Sequence, residues 1–381
     1  MNAELRPYQV GGYKWLARLG HMGLGAILAD DLGLGKTIQT LTLLLSRAED
    51  GPALVVAPTS LLTNWARESA RFTPALKTVR LAAGGSAKAR KKALKDAGPG
   101  TVVLTTYGLM QRQTELFAEK HWHTVVLDEA QAIKNPDSLR AKAAFQLNAD
   151  FRVALSGTPV ENKALELWSL MKFLVPGLLG TKKSFEASHS TAVAEGQGYE
   201  VVGLRARVQP FLLRRTKSEV LPELPPRTDV AIEVEPGKKQ GALIELLRQE
   251  AEKACRGESH MEIFAALMKL RQACCHPSLV SPHANIPSAK MEAFRELVGE
   301  LKEGGHRVLV FSQFSGHLAL VRAELEQLGL SYQYLDGKTP PKTRQKRVDA
   351  FQAGEGDVFL ISLKAGGTGL NLTAADYVVH L

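Results

Sequence analysis

Five apolar runs in the first 160 residues constrain this chain more than anything else in it. They are "GAILAD" (25–30), "ALVVAP" (53–58), "TVVLTTY" (101–107), "HTVVLDEA" (123–130) and "FRVALSGTP" (151–159). Each is of strand length and nearly continuous in Val, Leu, Ile and Ala. Strands that do not alternate with polar residues are covered on both faces, as in a parallel sheet flanked by helices. Helical stretches separate the runs. Each run ends in small, polar or Gly/Pro residues, where an open α/β sheet places its ligand crevice.

The same rhythm returns near residue 290, with "KMEAFRELVGELKEGG", "RVLVFSQF", "HLALVRAELEQLG", "SYQYLDG", "TRQKRVDAFQ", "DVFLISLKA" and "YVVHL". From about 161 to 285 there are few strand signals and much helical periodicity. The proline-rich "LPELPPRTDV" (221–230) reads as an extended linker. The expected fold is α/β, with two similar lobes, each a parallel sheet flanked by helices. Residues 1–235 form the first lobe, with a helical insertion after about 160 and the linker. Residues 236–381 form a second helical insertion (236–285) and then the second lobe. The sequence stops on a predicted strand, so that lobe is read as truncated.

A length of 381 residues is too great for one ordinary core. Lys and Arg number 48 against 39 Asp and Glu, a net charge of +9 that favours polyanionic partners. Three cysteines exclude a disulfide scaffold and point to a reducing compartment. The start lacks the apolar core of a signal peptide, and no apolar run approaches the roughly 20 residues of a membrane span, so no membrane association is expected.

"DDLGLGKT" (30–37) follows the first strand and opens the helical run "TIQTLTLLLSRA". Such a loop can cradle phosphates, because glycines let the backbone approach and helix-start N–H groups point at the anion. Lys36 would neutralise the β and γ phosphates, and Thr37 would hold Mg²⁺. The strict pattern has Gly where Asp30 stands, so the loop is a variant. "VVLDEAQ" (125–131) delivers Asp128 and Glu129 at another strand end. One carboxylate there can hold Mg²⁺ while its neighbour orients the attacking water. An acidic helix start would look similar, but two such motifs at two strand ends argue for a site.

These motifs and their order resemble those of the Swi/Snf-type ATPases of helicase superfamily two, DNA translocases that include chromatin-remodelling motors. "LRPYQVGGYKWL", "ADDLGLGKTIQT", "LVVAPTSLLTNW", "LTTYGLM", "LDEAQAIKN", "LSGTPVEN", "FLLRRTKSEV", "LRQACCHPSL", "RVLVFSQF" and "SLKAGGTGLNLTAAD" carry the resemblance across nearly the whole chain. It implies two RecA-like lobes with ATP, as its magnesium complex, between them. It implies that Gln9 reads the adenine edge and that Asp31, Gly33, Leu34, Gly35, Lys36 and Thr37 form the phosphate loop. Lys36, Asp128 and Glu129 become the catalytic set, with Thr37 and Asp128 the magnesium ligands. Gln131, Ser156, Gly157 and Thr158 match positions that couple hydrolysis to the track. Gly367, Thr368 and Gly369 match a second-lobe motif facing ATP and DNA, and Arg344 a motif near DNA. The family's next motif, with arginines for the ATP phosphates, belongs after "YVVHL" and is not in this sequence.

Weaker signals stay ambiguous. "KARKKALK" (88–95) suits DNA phosphates or a solvated helix face equally. "PKTRQKRVDAF" (341–351) suits DNA proximity or an amphipathic helix packing Val348 and Phe351. "CCHP" (274–277) has poor zinc spacing, and the resemblance makes it a packing element. Trp15, Trp65, Trp122 and Trp168 are expected to pack in the core. The leading expectation is an ATP-dependent motor on the backbone of double-stranded DNA, monomeric, with a protein target on the DNA left open. It would work in the nucleoid-containing cytoplasm if bacterial, or in the nucleus if eukaryotic. A strand-separating helicase and a non-catalytic nucleotide- or DNA-binding scaffold remain as alternatives.

Overall fold

Strands that are apolar on both faces need a helical layer on each side to bury them, and the chain folds accordingly. The computed structural model describes residues 1–81, 86–157, 164–187, 198–221, 228–256, 259–283, 285–366, 370 and 372–381. The chain divides into two compact units, Met1–Arg227 and Thr228–Leu381.

In the first unit β1 (Ala26–Leu28), β2 (Ala53–Ala57), β3 (Lys77–Arg80), β4 (Thr101–Thr106), β5 (His121–Asp128), β6 (Asn148–Leu155) and β7 (Leu212–Leu213) form one sheet. Their order is β3-β4-β2-β5-β6-β1-β7, with every pairing parallel. Successive side chains alternate between its faces. Leu54, Val56, Val103, Val125 and Leu127 pack towards Phe117, Trp122 and Phe173. Val55, Ala57, Val102, Leu104 and Val126 pack towards Leu41, Leu62 and Trp65. The second face is covered by α1 (Pro7–His21), α2 (Lys36–Ser46) and α3 (Thr59–Phe72). Buried residues of α4 (Ala87–Asp96), α5 (Tyr107–Arg112), α6 (Thr114–Ala118), α7 (Leu139–Phe145) and α8 (Ala164–Leu174) belong to the first face.

Two strands fall outside the apolar pattern. β3 is a sheet edge whose end residues are exposed, so it carries no continuous apolar run. β7 is only two residues long and lies in the stretch expected to be helical. Of the expected linker 221–230, residues 222–227 lie outside the described residues.

In the second unit β8 (Val308–Ser312), β9 (Tyr332–Leu335), β10 (Val358–Ser362) and β11 (Tyr377–His380) form a parallel sheet in the order β11-β8-β10-β9. Helices Ala289–Glu303 and Ser315–Gln327 contribute Phe294, Val298, Leu318 and Val321 to one face. Helix Pro341–Gln352 contributes Val348 and Phe351 to the other. Helices Lys238–Cys255 and His260–Cys275 precede them. Buried Gln240 ties this pair to the lobe: its amide donates to the Ala273 carbonyl at 3.3 Å, and its oxygen accepts the Ala289 N–H at 3.0 Å. Among the described residues no helix is long and apolar enough to cross a membrane.

Register places the first unit's important loops side by side. Leu28 of β1 pairs with Leu155 of β6 and with Leu213 of β7, and Leu155 pairs with Asp128 of β5. Two residues beyond that row, Asp30 meets Arg215. Arg215 Nε donates to Asp30 Oδ1 at 2.9 Å and Nη2 donates to Oδ2. Nη2 also donates to Gln39 Oε1 at 2.9 Å, and Nη1 donates to the Tyr8 carbonyl. Gln39 Nε2 completes the set on Asp30 Oδ2 at 3.2 Å. Asp30 is fully buried, and these partners let a carboxylate stand where the strict phosphate-loop pattern has glycine.

Removing one partner of a buried, hydrogen-bonded ion pair leaves an uncompensated charge, at a cost of about 3–5 kcal/mol. Arg215→Ala should therefore lower stability by about that amount, measured by urea unfolding. Arg215→Lys should recover only part of it, because an ammonium lacks the two-pronged fit. A loss below about 1 kcal/mol in Arg215→Ala would show that the pair is not what anchors β7.

Candidate nucleotide-binding and hydrolysis site

The loop after β1 is shaped by its glycines. Gly33 has φ 89° and Gly35 φ 78°, left-handed values that side chains with a Cβ rarely adopt. A Cβ on Gly35 would also come within 2.6 Å of Gln9 Nε2. Gly35 caps α2, whose first residue is Lys36, so the helix-start N–H groups face the loop. The Leu34 carbonyl is held by the amides of Gln9 at 3.3 Å and Gln39 at 3.4 Å. Asp31 accepts the Lys217 N–H at 3.1 Å, tying the loop to the segment after β7. Lys36 Nζ donates to the Asp30 carbonyl at 2.6 Å and the Asp31 carbonyl at 3.4 Å. Burial lowers the Lys36 pKa, and the Glu129, Asp128, Asp30 and Asp31 carboxylates oppose that shift.

Asp128 ends β5 and is almost wholly buried. Trp65 Nε1 donates to its Oδ2 at 2.7 Å, and the Glu129 N–H donates to its Oδ1 at 3.0 Å. The Tyr107 hydroxyl donates to its carbonyl at 2.8 Å. Burial raises the Asp128 pKa to about 6; the Trp65 bond opposes this and the Glu129 charge adds to it. Glu129 turns the chain sharply, with φ 50°, a left-handed value costly for a residue with a side chain. Gln131 Nε2 then donates to Glu129 Oε2 at 2.6 Å, and Ser156 Oγ donates to Gln131 Oε1 at 3.1 Å. A side-chain relay thus runs from the end of β6 to the Glu129 carboxylate.

The Thr37 hydroxyl and the Asp128 carboxylate are hard oxygen donors. Each Asp128 oxygen accepts one N–H, which leaves lone pairs for a hard cation, so the pair fits magnesium. Among the expected residues, the structure gathers Gln9, Asp31, Gly33, Leu34, Gly35, Lys36 and Thr37 in one loop region. It sets Asp128, Glu129, Gln131, Ser156 and Gly157 on neighbouring strand ends. Thr158, Gly367, Thr368 and Gly369 lie outside the described residues. Arg344 lies on helix Pro341–Gln352 of the second unit, where burial lowers its pKa. Arg215, Gln39, Trp65 and Tyr107 were not singled out as site residues. The buried aspartate at a glycine position was the one signal available, since it demands a cation. Trp65 is in the core as expected, yet its N–H serves a carboxylate.

A parallel sheet, a glycine-shaped loop capping a helix, and an acidic pair at a nearby strand end are the parts of a RecA-like fold. Residues 8–279 match the SNF2-related domain, and residues 289–381 match the helicase conserved C-terminal domain. The chain belongs to the SNF2-related family. It is 36% identical over 393 residues to the putative ATP-dependent helicase/translocase YwqA of Bacillus subtilis, covering 99% of this chain and 42% of that protein. It is 34% identical over 398 residues to a human SWI/SNF-related, matrix-associated, actin-dependent regulator of chromatin (subfamily A member 1), covering 98% and 38%. The chain thus spans about two fifths of the length of these curated relatives. The Sulfolobus solfataricus SWI2/SNF2 ATPase core, solved in complex with double-stranded DNA, is similar over all of this chain and 82% of that one. The TM-score is 0.57 and the identity 33%.

A carboxyl held at a pKa of about 6 when folded, against about 4 when unfolded, stabilises the fold below pH 4. That contribution is lost as pH rises through 6. Relative to Asp128→Asn, the protein without nucleotide or magnesium should therefore lose roughly 3 kcal/mol between pH 4 and pH 8. Urea unfolding of both proteins across that range checks this. A stability difference that does not change with pH would show that Asp128 does not titrate with this shift.

Proposed function

We propose that this chain is the motor core of a protein that hydrolyses magnesium-ATP to move along double-stranded DNA. One observation carries the chemistry: Lys36 and Thr37 at the start of α2 and Asp128 and Glu129 at a nearby strand end, with Glu129 held by Gln131, which Ser156 holds in turn. Lys36 would exchange its loop carbonyls for β and γ phosphate oxygens. Thr37 and Asp128 would hold magnesium, which when bound neutralises charge across those phosphates. Glu129 would accept a hydrogen bond from the attacking water and receive its proton, a role that suits a carboxylate fixed by a neighbouring amide. The relay to Ser156 offers a route by which the segment after β6 could sense the γ-phosphate.

Support for the track comes from the relatives: a translocase by name, a chromatin regulator, and an ATPase core solved on double-stranded DNA. The net charge of +9 suits a phosphate backbone. Contacts to phosphates are enough for movement, because base edges carry specificity. We further propose that the core works as a monomer, wherever the cell keeps its DNA, and that its cargo is a protein bound to that DNA.

Glu129→Gln should keep ATP affinity but lower turnover by about 10²-fold or more. Lys36→Ala should weaken ATP binding by about 10–100-fold, the worth of a charge-assisted hydrogen bond. Equilibrium nucleotide binding and steady-state phosphate release check both. DNA affinity should be similar for unrelated duplexes and fall by tenfold or more (~50 to 200 mM salt). On a triplex substrate ATP should drive third-strand release without melting the duplex. Melting would instead establish the strand-separating alternative, and unchanged turnover in Glu129→Gln would sink the assigned chemistry.

A further inference from the structure

The Asp128 carboxylate is approached from two directions. Trp65 reaches its Oδ2 from α3, which covers one face of the sheet, and the Glu129 N–H reaches Oδ1 along the chain. Tyr107 fixes the Asp128 carbonyl and packs with the core of the opposite face. Donors on both oxygens fix the plane of the carboxylate, which would otherwise turn freely about its last bond.

Two other tryptophans show that this is not how a buried indole must be satisfied. Trp122 donates to the Phe117 carbonyl at 3.0 Å and Trp168 to the Gly180 carbonyl at 3.2 Å. Trp65 places its N–H on an ionisable side chain 63 residues away, at 2.7 Å, while remaining 1% exposed. The short distance is that of a charge-assisted bond. The ring is fully buried in the core cluster that also holds Leu41, Leu62 and Val55, which restrains the donor.

We propose that Trp65 is a positioning residue for magnesium-nucleotide binding, its indole N–H holding the Asp128 carboxylate in the orientation that receives the cation. This rests on the assignment of Asp128 to magnesium made above. Trp65 itself touches neither nucleotide nor metal. Hydrogen-bond partners of this kind typically alter metal affinity by about 10–100-fold. The quantity it controls is the gain in nucleotide affinity that magnesium confers.

The test replaces Trp65 with benzothienylalanine, which keeps the ring shape but has sulfur in place of the N–H. Trp65→Phe and Asp128→Asn are measured beside it. The readout is the equilibrium affinity of a fluorescent ATP analogue with and without magnesium, expressed as a ratio, together with the magnesium concentration for half-maximal effect. The isosteric protein should need about tenfold more magnesium, with the ratio reduced accordingly, while its thermal unfolding midpoint stays near that of the natural protein. Trp65→Phe should shift the same way. If Asp128→Asn shifts the magnesium dependence and the isosteric protein does not, Trp65 only packs and the proposal is overturned. Equal loss of affinity with and without magnesium would overturn it too, since that is what general loosening of the site produces. If Asp128→Asn leaves the magnesium dependence unchanged, the assignment of Asp128 falls and the proposal with it.

Discussion

The buried pairing of Asp30 with Arg215 is the constraint around which the first unit is organised. A carboxylate cannot be taken out of water alone, and a guanidinium that satisfies both of its oxygens is the most economical partner. That one arginine also reaches Gln39 of α2 and the Tyr8 carbonyl of α1. Four separate pieces of chain therefore share a single charge network: the loop after β1, two helices and the segment after β7. The backbone ladder follows, with Ala29 N–H donating to the Leu213 carbonyl and Asp31 N–H to the Arg215 carbonyl. The glycine loop after β1 is consequently anchored by a salt bridge, while its glycines remain free to adopt left-handed turns.

Asp128 illustrates the opposite economy. Its carboxylate is buried with donors but without a bidentate cation, and its pKa rises to about 6. At neutral pH the charged form is therefore unfavourable, and only the Trp65 and Glu129 N–H groups bond it directly. Next to it Glu129 sits in a strained, left-handed backbone conformation. Strain and an undercompensated charge at adjacent residues both cost stability, and features of this kind cluster at functional sites. The surrounding sheet, covered on both faces, supplies the rigidity that keeps both features in place.

The two units share one construction. Each buries a parallel sheet between helical layers, and in each an arginine secures a strand end. In the second unit Arg307 lies over the Phe351 ring at 4.0 Å and donates to the Gly356 carbonyl at 3.2 Å. Helix Pro341–Gln352 packs Val348 and Phe351 inward against Leu309, Leu335, Phe359 and Ile361, and the DNA-proximal reading of Arg344 stays a proposal. Helix α4, with Lys91, Lys92 and Lys95 outside and Leu94 inside, is compatible with both readings of its basic run.

Local sequence determined the strands that are apolar on both faces, because burial on two sides removes the polar alternation that would hide them. It also determined the glycine-shaped loop and the acidic strand end, because each is a short contiguous motif set by neighbouring residues. It did not disclose β3, an edge strand without an apolar run, or β7, too short to carry a pattern. Nor did it disclose the partners of the two buried carboxylates. Arg215 is 185 residues from Asp30, and Trp65 is 63 residues from Asp128. No local pattern links such pairs. Strand order and parallel register bring Arg215 beside Asp30, and the packing of α3 on one face of the sheet aims the Trp65 indole at Asp128. Those contacts exist only once the sheet has formed, so the tertiary structure alone decided them.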